Sequence, residues 1–318
     1  MLSDILNPEL FASAVRIATP LALAAIGGTI CERSGVVNIA LEGIMLIGAF
    51  FGVVAALATG NAWAGVLAAV IAGLVIAGIH AFASITLRMD QVVSGTAINV
   101  LALGLTGFLM EVLYGHPGTT DGIRQTLQPV FDFPTPPGGL LNTIWSWIDQ
   151  VFFSYTPIVY VAIIAAIVGQ WALFHTRWGL RLRALGEHPR AADTVGIRVR
   201  RGRYVAVLIS GALGGLAGAN LTLEQVGSFN ENMTSGRGFI ALAANIFGRW
   251  TPIGSYLASL LFGFADALQI KLQAFQSVIK IPVQFFLMLP YVLTVVVLAG
   301  VMGRAVGPAE IGKAYEKE

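Results

Sequence analysis

The chain has 318 residues, of which 56% are hydrophobic and only 11% are charged, and its mean hydropathy is +0.77. A soluble domain carries about 25% charged residues, so this composition excludes a soluble globular protein. The formal net charge is +2, and the single cysteine, Cys31, allows neither an intrachain disulfide nor a cysteine-based metal cluster. Because the arginines are concentrated in one segment, we expect them to meet anionic lipid or a protein partner and not nucleic acid.

The first half of the chain predicts four membrane spans. Residues 1–10 contain Asp4 and Glu9 but no Lys or Arg. This is the wrong charge for a signal peptide, so the apolar segment at 11–30 is expected to remain as a span. Three more stretches are each about long enough to cross the hydrocarbon core of a bilayer, at residues 36–58, 62–87 and 91–113.

Residues 114–155 are rich in proline and glycine and form the longest segment that is not a candidate span. This segment is predicted to be an external loop. Within it, residues 140–153 combine Trp145 and Trp147 with regularly placed polar residues. That pattern is typical of a helix lying at the membrane interface, with its tryptophans at headgroup depth.

The most basic segment, residues 177–203, holds eight of the 19 Lys and Arg residues and lies between apolar segments at 156–175 and 204–223. By the positive-inside rule it is a cytoplasmic loop, and it fixes the orientation of the other spans. Gly186 and Pro189 are expected to break the preceding segment. Pro189 suits a first helical turn, so a short helix is predicted through Val195, with Gly196 ending it.

In the remaining third of the chain the spans are less regular. Two pairs of glycines at four-residue spacing, Gly211 with Gly215 and Gly214 with Gly218, predict close helix packing inside this polypeptide in preference to a dimer seam. Residues 235–250 predict a short span or a re-entrant helix. Further spans are predicted at 253–273 and 281–301, followed by a polar tail on the cytoplasmic side.

Together these segments predict an all-α polytopic membrane protein with about eight to ten transmembrane helices. The N-terminus is expected outside and the C-terminus inside. Asn38 begins the sequence NIALEG, which resembles FIALAA beginning at Phe239. Under this topology the two copies run in opposite directions, so an inverted repeat is predicted.

Polar residues at membrane depth are costly and tend to face the bundle interior or a water-filled path. Five of them are candidates for the translocation path: Asn38, Glu42, Ser94, Asn99 and Asn245. Asn38 and Asn245 lie beside glycine-rich breaks, so capping of helix ends is an equal alternative for them. For Glu111 and Glu224, near the outer ends of spans, solvation at the interface is the favoured interpretation.

Catalytic patterns are absent from the sequence. The four histidines are scattered, with no metal-ligand spacing. Residues 307–314 nearly match a phosphate loop, but Ala314 cannot supply the hydroxyl that such a loop uses for Mg²⁺. The chain is therefore not expected to be an enzyme or to hold a cofactor, and any ATP and Mg²⁺ would be bound by another polypeptide.

Three motifs carry a resemblance to a known family: TRWGLRLRALGEHPRAADTVGI at 176–197, GVVNIALEGIMLIGA at 35–49 and GFIALAANIFGRWTPIG at 238–254. The chain resembles permease subunits of the ABC importers that serve branched-chain amino acids, ribose and nucleosides. The similarity is closest to the nucleoside branch, whose members work with lipoproteins of the basic-membrane-protein type.

The resemblance implies a single transmembrane permease domain over residues 1–318 in the bacterial inner membrane. It implies transport of nucleosides, driven by ATP that a cytoplasmic ATPase hydrolyses. A second, related permease would complete a heterodimer, and a substrate-binding lipoprotein would dock on external residues 114–155. The alternatives are a sugar or branched-chain amino acid importer of the same family, or a secondary carrier.

The resemblance also implies that the cytoplasmic loop 177–203 contains the coupling helix that docks into the ATPase. In that interpretation Gly186 and Gly196 allow the turns, and Ala191 and Ala192 form a smooth contact face. The remaining residues of the coupling segment include Pro189 at the helix start and three charged residues that supply contacts at the rim, Glu187, Arg190 and Asp193. The alternative is a basic loop that only sets the topology and has no partner.

Overall fold

The computed structural model describes residues 7–131, 133, 145–274, 282–288, 292, 295–296 and 306–316. The regular secondary-structure elements of these residues are all helices. One isolated β-bridge joins Thr119 and Asn230 in the same described residues. The predicted all-α class is confirmed.

Besides a helical stretch at residues 145–153, the described part of the chain contains eleven α-helices: α1 (Pro8–Glu32), α2 (Leu41–Thr59), α3 (Ala62–Ala81), α4 (Gln91–Tyr114), α5 (Pro157–His175), α6 (Arg177–Glu187), α7 (Pro189–Thr194), α8 (Val199–Ala219), α9 (Arg237–Phe247), α10 (Pro252–Ala274) and α11 (Val283–Leu287). Helices α3 and α8 each continue into a wider π-helical turn, Phe82–Thr86 and Asn220–Val226. In the described residues, seven helices are long and apolar enough to cross a membrane, namely α1 to α5, α8 and α10.

The predicted spans match these helices, with three differences. Helix α8 begins at Val199 and not at residue 204, so it includes the last three arginines of the basic segment. Helix α2 begins at Leu41 and not at residue 36, because a non-helical break with Gly35 at φ +91° precedes it. The segment 235–250 contains α9, whose 11 residues reach about 16 Å, roughly half of a hydrocarbon core. The predicted span 281–301 lies mostly outside the described residues, as does the start of the predicted interfacial helix. Residues 145–153 of that helix are helical.

Helix α1 lies at the centre of the bundle. It packs against α10, α8, α9 and α5. Helix α8 in turn packs against α1, α2 and α3. The most apolar stretches of α1 and α2 are each 72% buried, whereas that of α4 is only 28% buried. The core therefore lies around α1, α2 and α8, and α4 is peripheral.

Glycines allow α8 to approach its neighbours closely. A Cβ atom at Gly215 would collide with the carbonyl oxygen of Ala69 in α3, and one at Gly218 would collide with that of Met45 in α2. Gly211 likewise faces Gly73. The prediction that these glycines serve packing inside one polypeptide is confirmed.

We call the end of the bundle that holds α6 and α7 the arginine end, and the opposite end the far end. The arginine end includes the end of α1, where Arg33 Nε donates to the carbonyl of Trp250 at 2.7 Å, and the C-terminal segment, residues 306–316. At the far end, Lys271 lies beside Asn7, and Ile123 N donates to the carbonyl of Gly227 at 2.8 Å. The start of α1 and the C-terminal segment thus lie at opposite ends, as predicted.

Candidate coupling surface and intramembrane polar residues

Helix α7 is the short helix that the sequence predicts in the basic segment. The Thr176 hydroxyl caps the preceding helix α6 by accepting from Gly179 N at 3.1 Å. Pro189 begins α7, and Gly196 follows it with φ +82°. These bounds confirm the prediction, except that α6 runs through Gly186 to Glu187 before the chain turns.

The two alanines of α7 face in different directions. Ala191 is exposed, whereas Ala192 is only 4% exposed and packs with Leu185 and Val199 in a hydrophobic cluster. The expectation that both alanines form one contact face is therefore wrong for Ala192. Val195, which the sequence analysis names only as the end of the predicted helix, is 74% exposed.

Gly186 and Glu187 lead into α7, and we call them the base of α7. This base packs against the break between α1 and α2. Gly186 is buried, and a Cβ atom there would lie 2.5 Å from the carbonyl oxygen of Arg33. Glu187, predicted as a rim residue, accepts from Ala309 N at 3.2 Å within the same chain. Asp193 forms a hydrogen bond with Tyr315. The pKa of Tyr315 is raised, mainly because the side chain is buried and secondly because of this hydrogen bond. Arg190 is exposed at the surface.

Arg203 differs from the other arginines of the basic segment, because it is only 2% exposed. Its Nε donates to the carbonyl of Ser34 at 3.1 Å, and its Nη1 donates to the carbonyl of Lys313 at 2.9 Å. Arg203 therefore connects α8 to both the break after α1 and the C-terminal segment. Its residue type alone does not separate it from its exposed neighbours.

The non-helical break at residues 33–40 is held by side chains of α3 and α4. His80 Nε2 lies 3.0 Å from the carbonyl of Val37, and because a carbonyl only accepts, this nitrogen carries the proton. His80 Nδ1 lies 3.1 Å from the Ser94 hydroxyl. Gln91 Oε1 accepts from Val37 N at 2.7 Å. These bonds satisfy backbone groups that would otherwise be unpaired inside the bundle.

Two of the predicted path residues continue this support. Asn99 Nδ2 donates to the carbonyl of Ile39 at 2.9 Å, and its Oδ1 accepts from Gly43 N at 2.8 Å. Asn38 is fully buried, and its Nδ2 donates to the Ser210 hydroxyl at 2.9 Å. Both amides hold the backbone or a neighbouring helix in place.

Glu42 joins the starts of two helices. It lies in the first turn of α2, and its two carboxylate oxygens accept from Gly236 N at 2.8 Å and Gly238 N at 2.6 Å, at the start of α9. Helix α9 runs toward the arginine end, opposite to α2. Negative charge at a helix N-terminus is favourable, because the first backbone N–H groups have no partner within the helix.

Asn245 belongs to a second buried cluster, nearer the arginine end. Its Oδ1 lies 2.7 Å from the Thr29 hydroxyl, and its Nδ2 donates to Glu32 Oε2 at 2.8 Å. The Trp250 indole donates to the same oxygen. Glu32 is not among the residues that the sequence analysis singled out. Its position directly after a long apolar run was the available signal that it could be buried.

The five predicted path residues thus lie around the break after α1 and around α9, and each forms hydrogen bonds within the chain. Ser94, Asn99 and Asn38 belong to the break. Glu42 and Asn245 hold the two ends of α9. The structure adds His80, Gln91, Glu32 and Arg203 to this set of functional candidates.

Comparisons with known proteins agree with this architecture. Residues 10–298 match the family described as branched-chain amino acid transport system / permease component. The chain is 44% identical to the guanosine ABC transporter permease protein NupQ of Bacillus subtilis (strain 168), with 94% of each chain covered. It is 41% identical to the nucleoside ABC transporter permease protein NupC of Lactococcus lactis subsp. cremoris (strain MG1363), again with 94% of each covered.

A third relative is the putative glucose ABC transporter permease protein TsgC13 of Haloferax volcanii, which is 37% identical over 82% of this chain and 76% of its own length. These relatives are named as permease proteins of ABC transporters. The seven long apolar helices and the relatives indicate a multi-pass protein of the bacterial inner membrane. With nearly its whole length matched, the chain belongs to the family of branched-chain amino acid transport system permease components.

Proposed function

We propose that this chain is the membrane-spanning permease subunit of an ABC importer that carries nucleosides into the cell. The observation that carries the proposal is the similarity to two relatives named for guanosine or nucleoside transport, which extends over 94% of both chains in each pair. Of the seven spanning helices in the described residues, α2 to α5, α8 and α10 lie within the family match, and α1 lies within it from Leu10 onward.

A sugar is the second candidate solute, because the relative named for glucose is 37% identical. A nucleoside and a hexose both present sugar hydroxyls, but only the nucleoside carries a planar base. Competition between the two solute classes therefore distinguishes the candidates.

In this proposal a separate ATPase binds ATP and Mg²⁺ and docks at the arginine end. The basic composition of that end favours the cytoplasmic side. The exposed residues of α7 support docking, because Arg190, Ala191 and Val195 project from a helix whose base is fixed on the bundle.

A displacement of α7 would be transmitted to the interior of the bundle through the contacts of Gly186 and Glu187 at its base. Gly186 lies against the carbonyl of Arg33, so a displacement of α7 would also displace the start of the break at residues 33–40. That break adjoins Glu42, which holds the start of α9. Alternating access would then arise from repositioning of α2 and α9 against α1 and α8.

Two further partners belong to the proposal. A second, related permease would complete the membrane unit as a heterodimer. A substrate-binding lipoprotein would dock at the far end, where residues 118–127 pair with residues 223–231 through backbone hydrogen bonds. That pairing gives the far end an ordered surface.

The test is solute uptake by the complete transporter reconstituted in proteoliposomes with ATP and Mg²⁺ on the ATPase side. We expect accumulation of labelled guanosine that unlabelled uridine or adenosine reduces and that a hundredfold excess of glucose does not. Accumulation of labelled glucose with no accumulation of labelled guanosine would contradict the proposed solute. Undiminished uptake with an ATPase partner that cannot hydrolyse ATP would contradict the ABC mechanism.

A further inference from the structure

The C-terminal segment, residues 306–316, lies across the arginine end and contacts the base of α7. Glu310 N donates to the carbonyl of Gly186 at 2.8 Å, and Gly312 N donates to the carbonyl of Gly35 at 3.1 Å. Ala309 N donates to the carboxylate of Glu187. The segment therefore follows the groove between α6 and the break after α1.

Further contacts hold the second half of the segment. Tyr315 is 9% exposed and packs in the same hydrophobic cluster as Ala192. The carbonyl of Lys313 accepts from Arg203, and Glu316 forms an ion pair with Arg88 in the turn before α4. Packing, a hydrogen bond and an ion pair therefore hold residues 306–316 against the arginine end.

A cleft of about 620 Å³ lies between this segment and α7. Pro189, Arg190 and Ala191 line it on the α7 side, and Ala314, Tyr315 and Glu316 line it on the other. Ala191 and Ala314 are both exposed. One wall of the cleft therefore belongs to the exposed face of α7, and the other belongs to the C-terminal segment.

The surroundings of the cleft indicate what kind of partner fits it. Ala191 and Ala314 are exposed in the cleft, His188 and Arg190 line it on the α7 side, and Glu310 and Glu316 line it on the side of the C-terminal segment. Small exposed side chains beside charged groups of both signs suit a protein partner, because the rim of a protein interface is polar and solvent-accessible. A matching partner would present a small protrusion with charged groups of both signs around it.

We propose that α7 and the cleft-lining part of the C-terminal segment, residues 310–316, together form the docking surface for the ATPase, and that the cleft between them receives a protruding side chain of that subunit. This inference rests on the proposed function, because it takes the ATPase as the partner at the arginine end. It adds residues 310–316 as a second element of the contact.

Photo-crosslinking from single introduced cysteines tests the inference in the assembled transporter. The natural Cys31 is completely buried, so a maleimide photoprobe is expected to label only the introduced site. The variants are Ala314→Cys in the cleft wall, Ala191→Cys on α7 and Val306→Cys as the control. Val306 is 79% exposed but does not line the cleft.

We expect both Ala314→Cys and Ala191→Cys to crosslink to the ATPase, with at least tenfold the yield of Val306→Cys. A crosslink from Ala191→Cys but not from Ala314→Cys would overturn this inference and leave the proposed function intact. If neither site crosslinks to the ATPase, or if both give only lipid adducts, ATPase docking at the arginine end is itself contradicted.

A binding measurement gives a second test, with Ala314→Trp filling the cleft and Val306→Trp as the matched control. We expect Ala314→Trp to raise the Kd for the ATPase about tenfold, which corresponds to about 1.4 kcal/mol, and the control to leave it unchanged. Both positions are exposed, so both variants are expected to give monodisperse protein. An unchanged Kd for monodisperse Ala314→Trp would contradict the inference.

Discussion

Glu42 shows how a charged side chain at membrane depth can serve the structure. Its side chain is mostly buried, the whole residue being 9% exposed, and both carboxylate oxygens accept from backbone N–H groups at the start of α9. A helix N-terminus is a ready-made anion site, and here the chain's own carboxylate fills it. Glu42 therefore holds α2 and α9 together at their starting turns.

Replacing Glu42 tests this assignment. Glu42→Leu leaves the two N–H groups of Gly236 and Gly238 without acceptors, and each such loss costs about 1–3 kcal/mol. We expect a clear decrease in the Tm of the purified protein and a loss of uptake. Glu42→Gln retains one acceptor oxygen, so its Tm should lie between those of Glu42→Leu and the unmodified chain.

Glu111→Leu is the matched control, because Glu111 is exposed near the end of α4. Its Tm is expected to remain close to that of the unmodified protein. If Glu42→Leu instead abolishes uptake while its Tm matches the control, Glu42 acts on the translocation path and not as a helix cap.

At the scale of elements, the sequence predicts the spanning helices well, because the length of an apolar run is a local property. It does not predict where α2 begins. The break before Leu41 exists because His80, Gln91 and Asn99 satisfy its backbone groups from α3 and α4. Those partners are distant in the chain, and no local pattern identifies them.

The same reason limits prediction of the candidate site. The start and end of α7 follow from Pro189 and Gly196, which act through their own backbone preferences. The burial of Ala192 depends on contacts with Leu185 and Tyr315, which the chain supplies from other elements. The sequence therefore predicts where α7 begins and ends. It does not predict which residues of α7 face the bundle and which face outward.

The close packing of α8 against α3 predicts that Gly→Ala substitutions change the Tm in opposite directions at two positions. In an exposed helical position, Gly→Ala stabilises by about 1 kcal/mol. At Gly215 the added methyl group would collide with the carbonyl of Ala69, whereas at Gly104 in α4 no atom lies within 4 Å. We expect Gly215→Ala to lower the Tm, since overpacking typically costs about 1–3 kcal/mol.

Gly104→Ala should leave the Tm unchanged or raise it. Both variants are compared by thermal unfolding of the purified protein under one detergent condition. A Tm for Gly215→Ala equal to or above that of Gly104→Ala would show that α8 and α3 are farther apart than the structure places them.

Across the whole molecule, the arginine end connects elements from every part of the chain. Arg33 at the end of α1 donates to the carbonyl of Trp250, just before α10. Arg203 of α8 donates to Ser34 and to Lys313 of the C-terminal segment. A force applied to α7 would therefore be distributed to α1, α8 and α10 together, which is what coupling to an external ATPase requires.

Arg203→Lys tests whether this connection carries the coupling. A lysine amine is a compact charge on a flexible stem and cannot reproduce the fixed fork of a guanidinium. It is not expected to hold the carbonyls of Ser34 and Lys313 at once. We expect the variant to bind the ATPase more weakly, because the C-terminal segment is released. At a saturating concentration of the ATPase it should still support ATP hydrolysis, with the solute transported per ATP reduced about tenfold.

Release of the C-terminal segment gives a structural readout for the same variant. The carbonyl of Lys313 is the group that Arg203 holds, so tryptic cleavage after Lys313 should be faster in Arg203→Lys. Arg201→Lys is the control, because Arg201 is two residues away but exposed. If the two variants show equal cleavage rates and equal transport per ATP, Arg203 does not link the segment to the bundle. Transport lost with unchanged cleavage would place its effect at Ser34 and the break after α1 alone.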